Sequence, residues 1–79
     1  MPFKYIIVRD RADREHGIVF PEAIIHRDVA RIHRASDVRV VSAGFCYIGD
    51  HVEAFGESET LKLKSRPEDT AIIAADFSA

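Results

Sequence analysis

The stretch that decides the fold is Val38-Arg39-Val40-Val41-Ser42-Ala43-Gly44-Phe45-Cys46-Tyr47-Ile48-Gly49-Asp50-His51-Val52-Glu53-Ala54-Phe55. Two runs rich in β-branched and aromatic residues flank Gly49-Asp50, which is typical of a β-hairpin with a two-residue type II′ turn. In that register Cys46 lies opposite Glu53. The hairpin therefore predicts an antiparallel sheet.

Three further segments are predicted to be strands. Phe3 to Val8 is apolar enough to be buried on both faces, so we place it inside the sheet. A long loop from Arg9 to His16 leads to a short second strand, Ile18 to Phe20. Thr60 to Lys64 alternates leucine with lysine, the pattern of a half-buried strand at a sheet edge.

Two segments are predicted to be helices. The first follows Pro21 and runs from Glu22 to about Arg34, with Ile25, Val29 and Ile32 as its apolar face.

The second helix is introduced by a capping box, Ser65 with Glu68, and runs from near Arg66 through Phe77. Together the elements predict a single α+β domain over residues 1–79, in the order β-β-α-β-β-β-α. The antiparallel sheet has four or five strands, and both helices pack on one face of it.

Length and composition limit the classes of protein to consider. The 79 residues are 47% hydrophobic and 30% charged, as expected for one small globular domain. Residues 1–39 carry eight Lys or Arg against six Asp or Glu, and residues 40–79 carry three against seven. The chain lacks the basic excess on which nucleic-acid affinity depends. The single cysteine and the missing signal sequence predict a cytoplasmic protein, and the short apolar runs predict no membrane span.

Cys46, His51 and Glu53 share one side of the predicted hairpin and suggest a thiol nucleophile, a base and a carboxylate that orients the base. However, a lone cysteine in a strand usually acts as a small hydrophobic residue, and the diagonal distance to His51 is about 7 Å. We therefore expect no enzyme, and keep a thiol-dependent enzyme as an alternative.

Arg27, Arg31 and Arg34 recur along one side of the first helix, and Arg9, Arg11 and Arg14 from the long loop could join them. Arginine clusters bind phosphates through paired hydrogen bonds. Interleaved acidic residues reduce their field, which favours a solvated helix face, with nucleic-acid binding as the alternative.

Metal and cofactor sites are not predicted. His26 and His33 lie seven positions apart, or about 10 Å along a helix, too far to share one ion unaided. No paired-ligand spacing and no glycine-rich phosphate loop occurs.

One side of the predicted hairpin is more apolar than a solvated sheet face should be. It would present Val38, Val40, Ile48 and Phe55 beside Cys46. We expect these four residues to form a contact surface, and self-association is the simplest way to cover it.

Four segments resemble small uncharacterised proteins encoded in tailed-phage and prophage genomes. They are Phe20-Pro21-Glu22, His26 with Val29-Ala30-Arg31, Val41 to Phe45, and Ser58 through Leu61 to the run from Ser65 to Asp69. That group has no assigned activity, so the resemblance carries over no functional residue. It implies an accessory product in the cytoplasm of an infected bacterium that binds a host or viral protein. The leading hypothesis is thus a non-enzymatic interaction or regulatory protein with a protein partner and no cofactor.

Overall fold

The computed structural model describes residues 2–34 and 37–77. The main sheet consists of β1 (Phe3–Arg9), β2 (Glu15–Phe20), β3 (Arg39–Ile48) and β4 (Val52–Phe55). Its order is β2-β1-β3-β4, and every neighbouring pair is antiparallel. The two helices are α1 (His26–Arg34) and α2 (Asp69–Phe77). The α+β class and the four-stranded antiparallel sheet are confirmed, and β1 lies inside the sheet as predicted.

A separate two-stranded hairpin follows β4. It pairs β5 (Glu57–Ser58) with β6 (Leu63–Lys64), and neither strand joins the main sheet. The strand predicted over Thr60 to Lys64 is therefore correct only at its last two residues. Lys62 has a φ of 56°, in the left-handed region, which breaks the extended chain before Leu63.

The two helices cover opposite faces of the sheet, which corrects the expectation that they share one face. The α1-side core contains Ile6, Val8, Phe20, Val29, Ala30, Val40 and Ala43. The α2-side core contains Tyr5, Ile7, Cys46 and Ile73. Because side chains alternate along β1, its continuous apolar run requires a cover on each face.

The β3–β4 connection contains three residues, 49–51, instead of the predicted two. Ile48 pairs with Val52, and Cys46 pairs with Ala54. A type II′ turn needs φ > 0 at Gly49, but Gly56 is the one glycine with positive φ in the described ranges. The extra loop residue shifts β4 by one position, which turns each of its side chains to the other face.

A β-bulge in β3 changes the face of the sheet on which the side chains of its first half lie. Ile7 pairs with Ser42 and Val8 pairs with Val40, so Val41 is the extra residue. Val38 and Val40 contribute to the α1-side core, whereas Val41 packs against the α2-side core. Strict alternation through β3 does not predict this division.

The connection between β1 and β2 is a tight turn of residues 10–14, which corrects the predicted long loop. Asp10 Oδ1 accepts hydrogen bonds from the backbone N–H groups of Ala12 at 2.8 Å and Arg14 at 3.0 Å. The N–H of Asp10 also donates to the Arg14 carbonyl at 2.9 Å. One aspartate thus supplies the turn contacts that let both strands extend beyond their predicted ends.

A carboxylate reaches back at the start of α2, but it comes one residue later than predicted. Asp69 Oδ2 accepts the backbone N–H of Arg66 at 3.0 Å and the Tyr5 hydroxyl at 2.7 Å. Asp69 is fully buried, whereas Glu68 is exposed. The contact with Tyr5 in β1 fixes Asp69 as the residue that receives the free amide.

Residues of α2 also bind both edges of the main sheet. In β4, Ala54 donates its backbone N–H to the Thr70 hydroxyl at 3.0 Å. In β2, Gly17 donates its backbone N–H to Asp76 Oδ2 at 2.5 Å. Side chains of α2 therefore occupy backbone donors on the two strands that are most open to unwanted pairing. Neither helix of the described chain is long and apolar enough to cross a membrane.

Candidate functional site

The three candidate thiol-site residues do not come together. Cys46 is fully buried in the α2-side core, and its burial raises the pKa of the thiol to about 11. His51 is exposed in the three-residue loop. Glu53 pairs with Tyr47 and lies on the α1 side, because the register differs by one residue from the predicted one. The predicted grouping is therefore wrong, and Cys46 stays protonated near neutral pH.

The four residues of the expected contact surface are divided between the two cores. Val40 is buried on the α1 side and Val38 packs beside it, while Ile48 packs on the α2 side. Phe55 stacks on Phe45 and Tyr47. The bulge at Val41 and the longer hairpin loop separate residues that strict alternation would place together. They form no common exposed face.

The arginine face of α1, defined as Arg27, Arg31 and Arg34, is exposed as predicted. At 100° per residue the three side chains fall within a sector of about 60°. The described contacts include no ion pair or side-chain hydrogen bond to any of them. In the β1–β2 region Arg9 is bound to Glu15 and Arg11 to Asp37, so these two arginines are already paired.

The predicted apolar face of α1 is correct at one position of three. Val29 is buried, whereas Ile25 is 43% exposed and Ile32 is 68% exposed. The helix packs through His26, Val29 and Ala30 instead. A prediction that counts only apolar residues overlooks His26, which is buried.

A groove of about 400 Å³ lies between the start of α1 and the β5–β6 hairpin. We call it the α1 groove. Its lining residues are Lys4, Ile25, His26, Phe45, Glu57, Glu59 and Thr60. Three of them come from the sheet and α1, and Ile25 immediately precedes α1. The remaining three come from the β5–β6 hairpin, and of these only Thr60 lies in the edge strand predicted over Thr60 to Lys64.

His26 forms the inner wall of the α1 groove. Its Nε2 lies 2.7 Å from the Gly44 carbonyl, which can only accept, so Nε2 carries the hydrogen. The ring packs edge-on against Phe20 and Phe45, with centroid distances of 5.4 and 5.7 Å. Burial lowers the pKa of His26, and the charge of Lys4 lowers it further, against the opposing effect of the Gly44 hydrogen bond. The neutral imidazole therefore predominates near neutral pH.

Nδ1 of His26 remains available as an acceptor. Among the described contacts Nδ1 has no protein partner, and the ring lines the α1 groove. Residues 2–34 and 37–77 contain no group of three or more His, Cys, Asp or Glu side chains that could hold a metal ion, so His26 and His33 do not belong to such a cluster there.

Two carboxylates form the outer wall of the groove. Glu57 and Glu59 are exposed on either side of the buried Ser58, as expected for alternating side chains. Neither has an ion pair or side-chain hydrogen bond among the described contacts. Lys4, the cationic lining residue, donates from Nζ to the Ile24 carbonyl at 3.0 Å and makes no ion pair with either carboxylate among the described contacts. The groove lining therefore carries two negative charges and one positive charge.

An aromatic row continues outward from the groove. Phe45 stacks on Phe55 at 6.1 Å, and Phe55 stacks on Tyr47 at 5.1 Å, each pair inclined by 25°. Tyr47 is 49% exposed. Aromatic faces beside carboxylates attract cationic groups, because the ring faces and the carboxylates are both negative.

Comparisons with family models, with curated proteins and with solved structures give no match for this chain.

Proposed function

We propose that the protein is a non-enzymatic interaction protein that binds a cationic segment of a protein partner in the α1 groove. The observation that supports this proposal is the pair of exposed, unpaired carboxylates, Glu57 and Glu59, beside the aromatic side chain of Phe45.

The chemistry of the groove suits an arginine or lysine side chain. The apolar stem of such a residue can lie against Ile25 and Phe45, while its charged end reaches Glu57 and Glu59. His26 Nδ1 adds a neutral acceptor. A phosphate or other anion would meet the two carboxylates, so nucleic acid is disfavoured at this position.

The resemblance to phage and prophage proteins supplies the setting for this proposal. We place the protein in the bacterial cytoplasm as an accessory or regulatory factor, with a host or viral protein as partner. The burial of Cys46 is consistent with a role that does not use thiol chemistry.

The binding of a short arginine peptide tests the proposal. The probe is acetyl-Gly-Arg-Gly-amide, titrated into the ¹⁵N-labelled protein and followed by NMR. The matched control peptide contains citrulline, which has nearly the same shape as arginine but no charge. We expect weak binding of the arginine peptide, with a Kd no lower than about 1 mM, because one exposed charged contact contributes at most about 1 kcal/mol. Shifts should centre on Phe45, Glu57 and Glu59.

Protein variants complete this test. Glu57→Gln with Glu59→Gln should abolish the shifts, whereas Asp50→Asn, in the exposed β3–β4 loop, should leave them unchanged. Equal binding of the citrulline peptide, or shifts that centre elsewhere, would contradict the proposal.

Nucleic-acid binding by the arginine face is a second candidate, favoured because Arg27, Arg31 and Arg34 are exposed and form no ion pair with another described residue. Such binding should weaken steeply with salt and be lost in Arg31→Glu, as measured by a gel shift with duplex DNA and with RNA. A nucleic-acid complex that persists at high salt, or that still forms with Arg31→Glu, would not be formed by the arginine face.

A further inference from the structure

We infer that the α1 groove also takes the arginine face of a second copy of this chain. This inference rests on the proposed function, because it assigns an occupant to the same groove. The two surfaces lie on different sides of α1, since His26 lines the groove while the arginines lie about 80–140° away around the helix. One copy can therefore offer both surfaces at once.

Charge complementarity identifies the occupant. Among the described contacts, Glu57 and Glu59 of the groove and Arg27 and Arg31 of the helix have no ion-pair partner. The arginine face carries three positive charges, and the groove lining carries a net negative charge. A second copy can place Arg27 and Arg31 opposite the two carboxylates, while Lys4 Nζ stays on the Ile24 carbonyl.

The spacing of the charges also agrees. Arg27 and Arg31 are one turn apart, about 6 Å along the helix axis. Glu57 and Glu59 are two residues apart in a nearly extended chain, about 6.6 Å at 3.3 Å per residue. Each arginine can therefore lie opposite one carboxylate.

Apolar surface adjoins this contact in the groove. Ile25 lines the groove and is 43% exposed, and Phe45, which also lines it, begins the aromatic row that ends at Tyr47. Interfaces between proteins are enriched in arginine and aromatic residues and depleted in lysine. The exposed side of α1 contains three arginines and no lysine.

The contact joins two different surfaces, so each pair leaves one groove and one arginine face free. It can therefore repeat from copy to copy. We expect association that increases with concentration up to about 1 mM and decreases when added salt screens the charges.

Charge reversal tests the inference by sedimentation velocity. Glu57→Arg with Glu59→Arg, and separately Arg27→Glu with Arg31→Glu, should each weaken association roughly tenfold or more. An equal mixture of the two double variants should associate again, since each then meets the opposite charge. A single chain with all four changes should also associate. Asp50→Arg, at the exposed loop, controls for a general effect of net charge.

The outcomes separate this inference from the proposed function. A wild-type chain that stays monomeric at about 1 mM, or reversals that are not rescued by mixing, would overturn self-association. Arginine-peptide binding in the groove would still support the proposed function in that case. A monomer that binds nucleic acid through Arg27 and Arg31 would also overturn the inference, and would assign the arginine face to the second candidate function.

Discussion

Among single residues, Gly44 is the glycine of the main sheet at which an added side chain would make the closest contact. A Cβ built at this position would lie 2.5 Å from the Phe55 carbonyl oxygen, a backbone atom that cannot rotate away. Gly44→Ala should therefore push β4 outward and lower the free energy of unfolding by about 1–3 kcal/mol. Urea denaturation measures this loss.

Gly49 provides the matched control, since a Cβ there meets nothing within 4 Å. Gly49→Ala should change stability by less than about 0.5 kcal/mol. Equal effects of the two changes would show that close packing at Gly44 is unimportant.

Cys46 should resist alkylation in the folded protein. Its pKa of about 11, against an ordinary value of 9.0, lowers the thiolate fraction by roughly a hundredfold near neutral pH. Burial slows the reagent further. Iodoacetamide labelling, followed by mass spectrometry, should therefore be slow without denaturant and fast in urea. Rapid labelling of the folded chain would mean that the thiol is accessible.

At the scale of elements, one hydrogen bond joins the interior strand β1 to the start of α2. Tyr5 donates from its hydroxyl to Asp69, which also accepts from Arg66. Burial raises the pKa of Tyr5, and the hydrogen bond and charge of Asp69 raise it further. Tyr5→Phe should lower the free energy of unfolding by about 1–3 kcal/mol, because a buried carboxylate loses a donor. The Tyr47 hydroxyl has no hydrogen-bond partner among residues 2–34 and 37–77, so Tyr47→Phe should be nearly neutral in the same urea denaturation experiment.

Glu15 makes the link between β2 and α2 sensitive to acid. Arg66 and Arg9 donate hydrogen bonds to its carboxylate, at closest distances of 2.8 and 2.6 Å, and lower its pKa from 4.5 to about 2. Because the folded-state pKa is the lower one, this stabilisation is complete above pH 4.5 and is lost as the pH falls to about 2.

A series of urea titrations across this pH range measures the loss. Glu15→Gln should flatten the dependence of unfolding free energy on pH, and Glu53→Gln, at an exposed position, should not. If the unfolding free energies of the wild type and of Glu15→Gln depended on pH in the same way, Glu15 would not be the cause of the acid sensitivity.

The hairpin shows how far local sequence predicts an element. Its two strands follow from β-branched and aromatic residues, and both are present. The loop length depends on whether Gly49 adopts positive φ, and the bulge at Val41 depends on the partner strand β1. These two single-residue shifts redistribute the expected contact surface and separate Cys46 from Glu53. Neither shift leaves a signal within the hairpin itself.

For the molecule as a whole, the sequence predicts part of the arrangement of the helices. The run from Tyr5 to Val8 already predicts burial on both faces of β1, and two covered faces are incompatible with both helices on one side. The sequence does not predict the α1 groove. The groove forms because the β5–β6 hairpin turns away from the main sheet after Gly56, which has a φ of 77°. Its residues are far apart in sequence and have no shared motif.

Because α2 binds both edges of the sheet, its contacts should protect specific backbone amides. Thr70→Val removes the acceptor for the Ala54 N–H while keeping the shape of the side chain. Hydrogen exchange at Ala54 should then become roughly fivefold faster, since about 1 kcal/mol of local protection is lost. The amide of Gly17, held by Asp76 at the other edge, is the internal control. NMR resolves both amides, and acceleration at both would indicate general loosening instead.

The position of α2 after all four main strands has a consequence for synthesis on the ribosome. β4 ends at Phe55 and α2 ends at Phe77, so translation at 5–20 residues per second separates them by about 1–4 seconds. Until α2 docks, the face containing Tyr5, Ile7 and Cys46 has no cover, and both sheet edges lack their α2 contacts. Any state in which α2 is undocked therefore exposes an apolar face and two open edges together, the combination that favours misassembly with neighbouring chains.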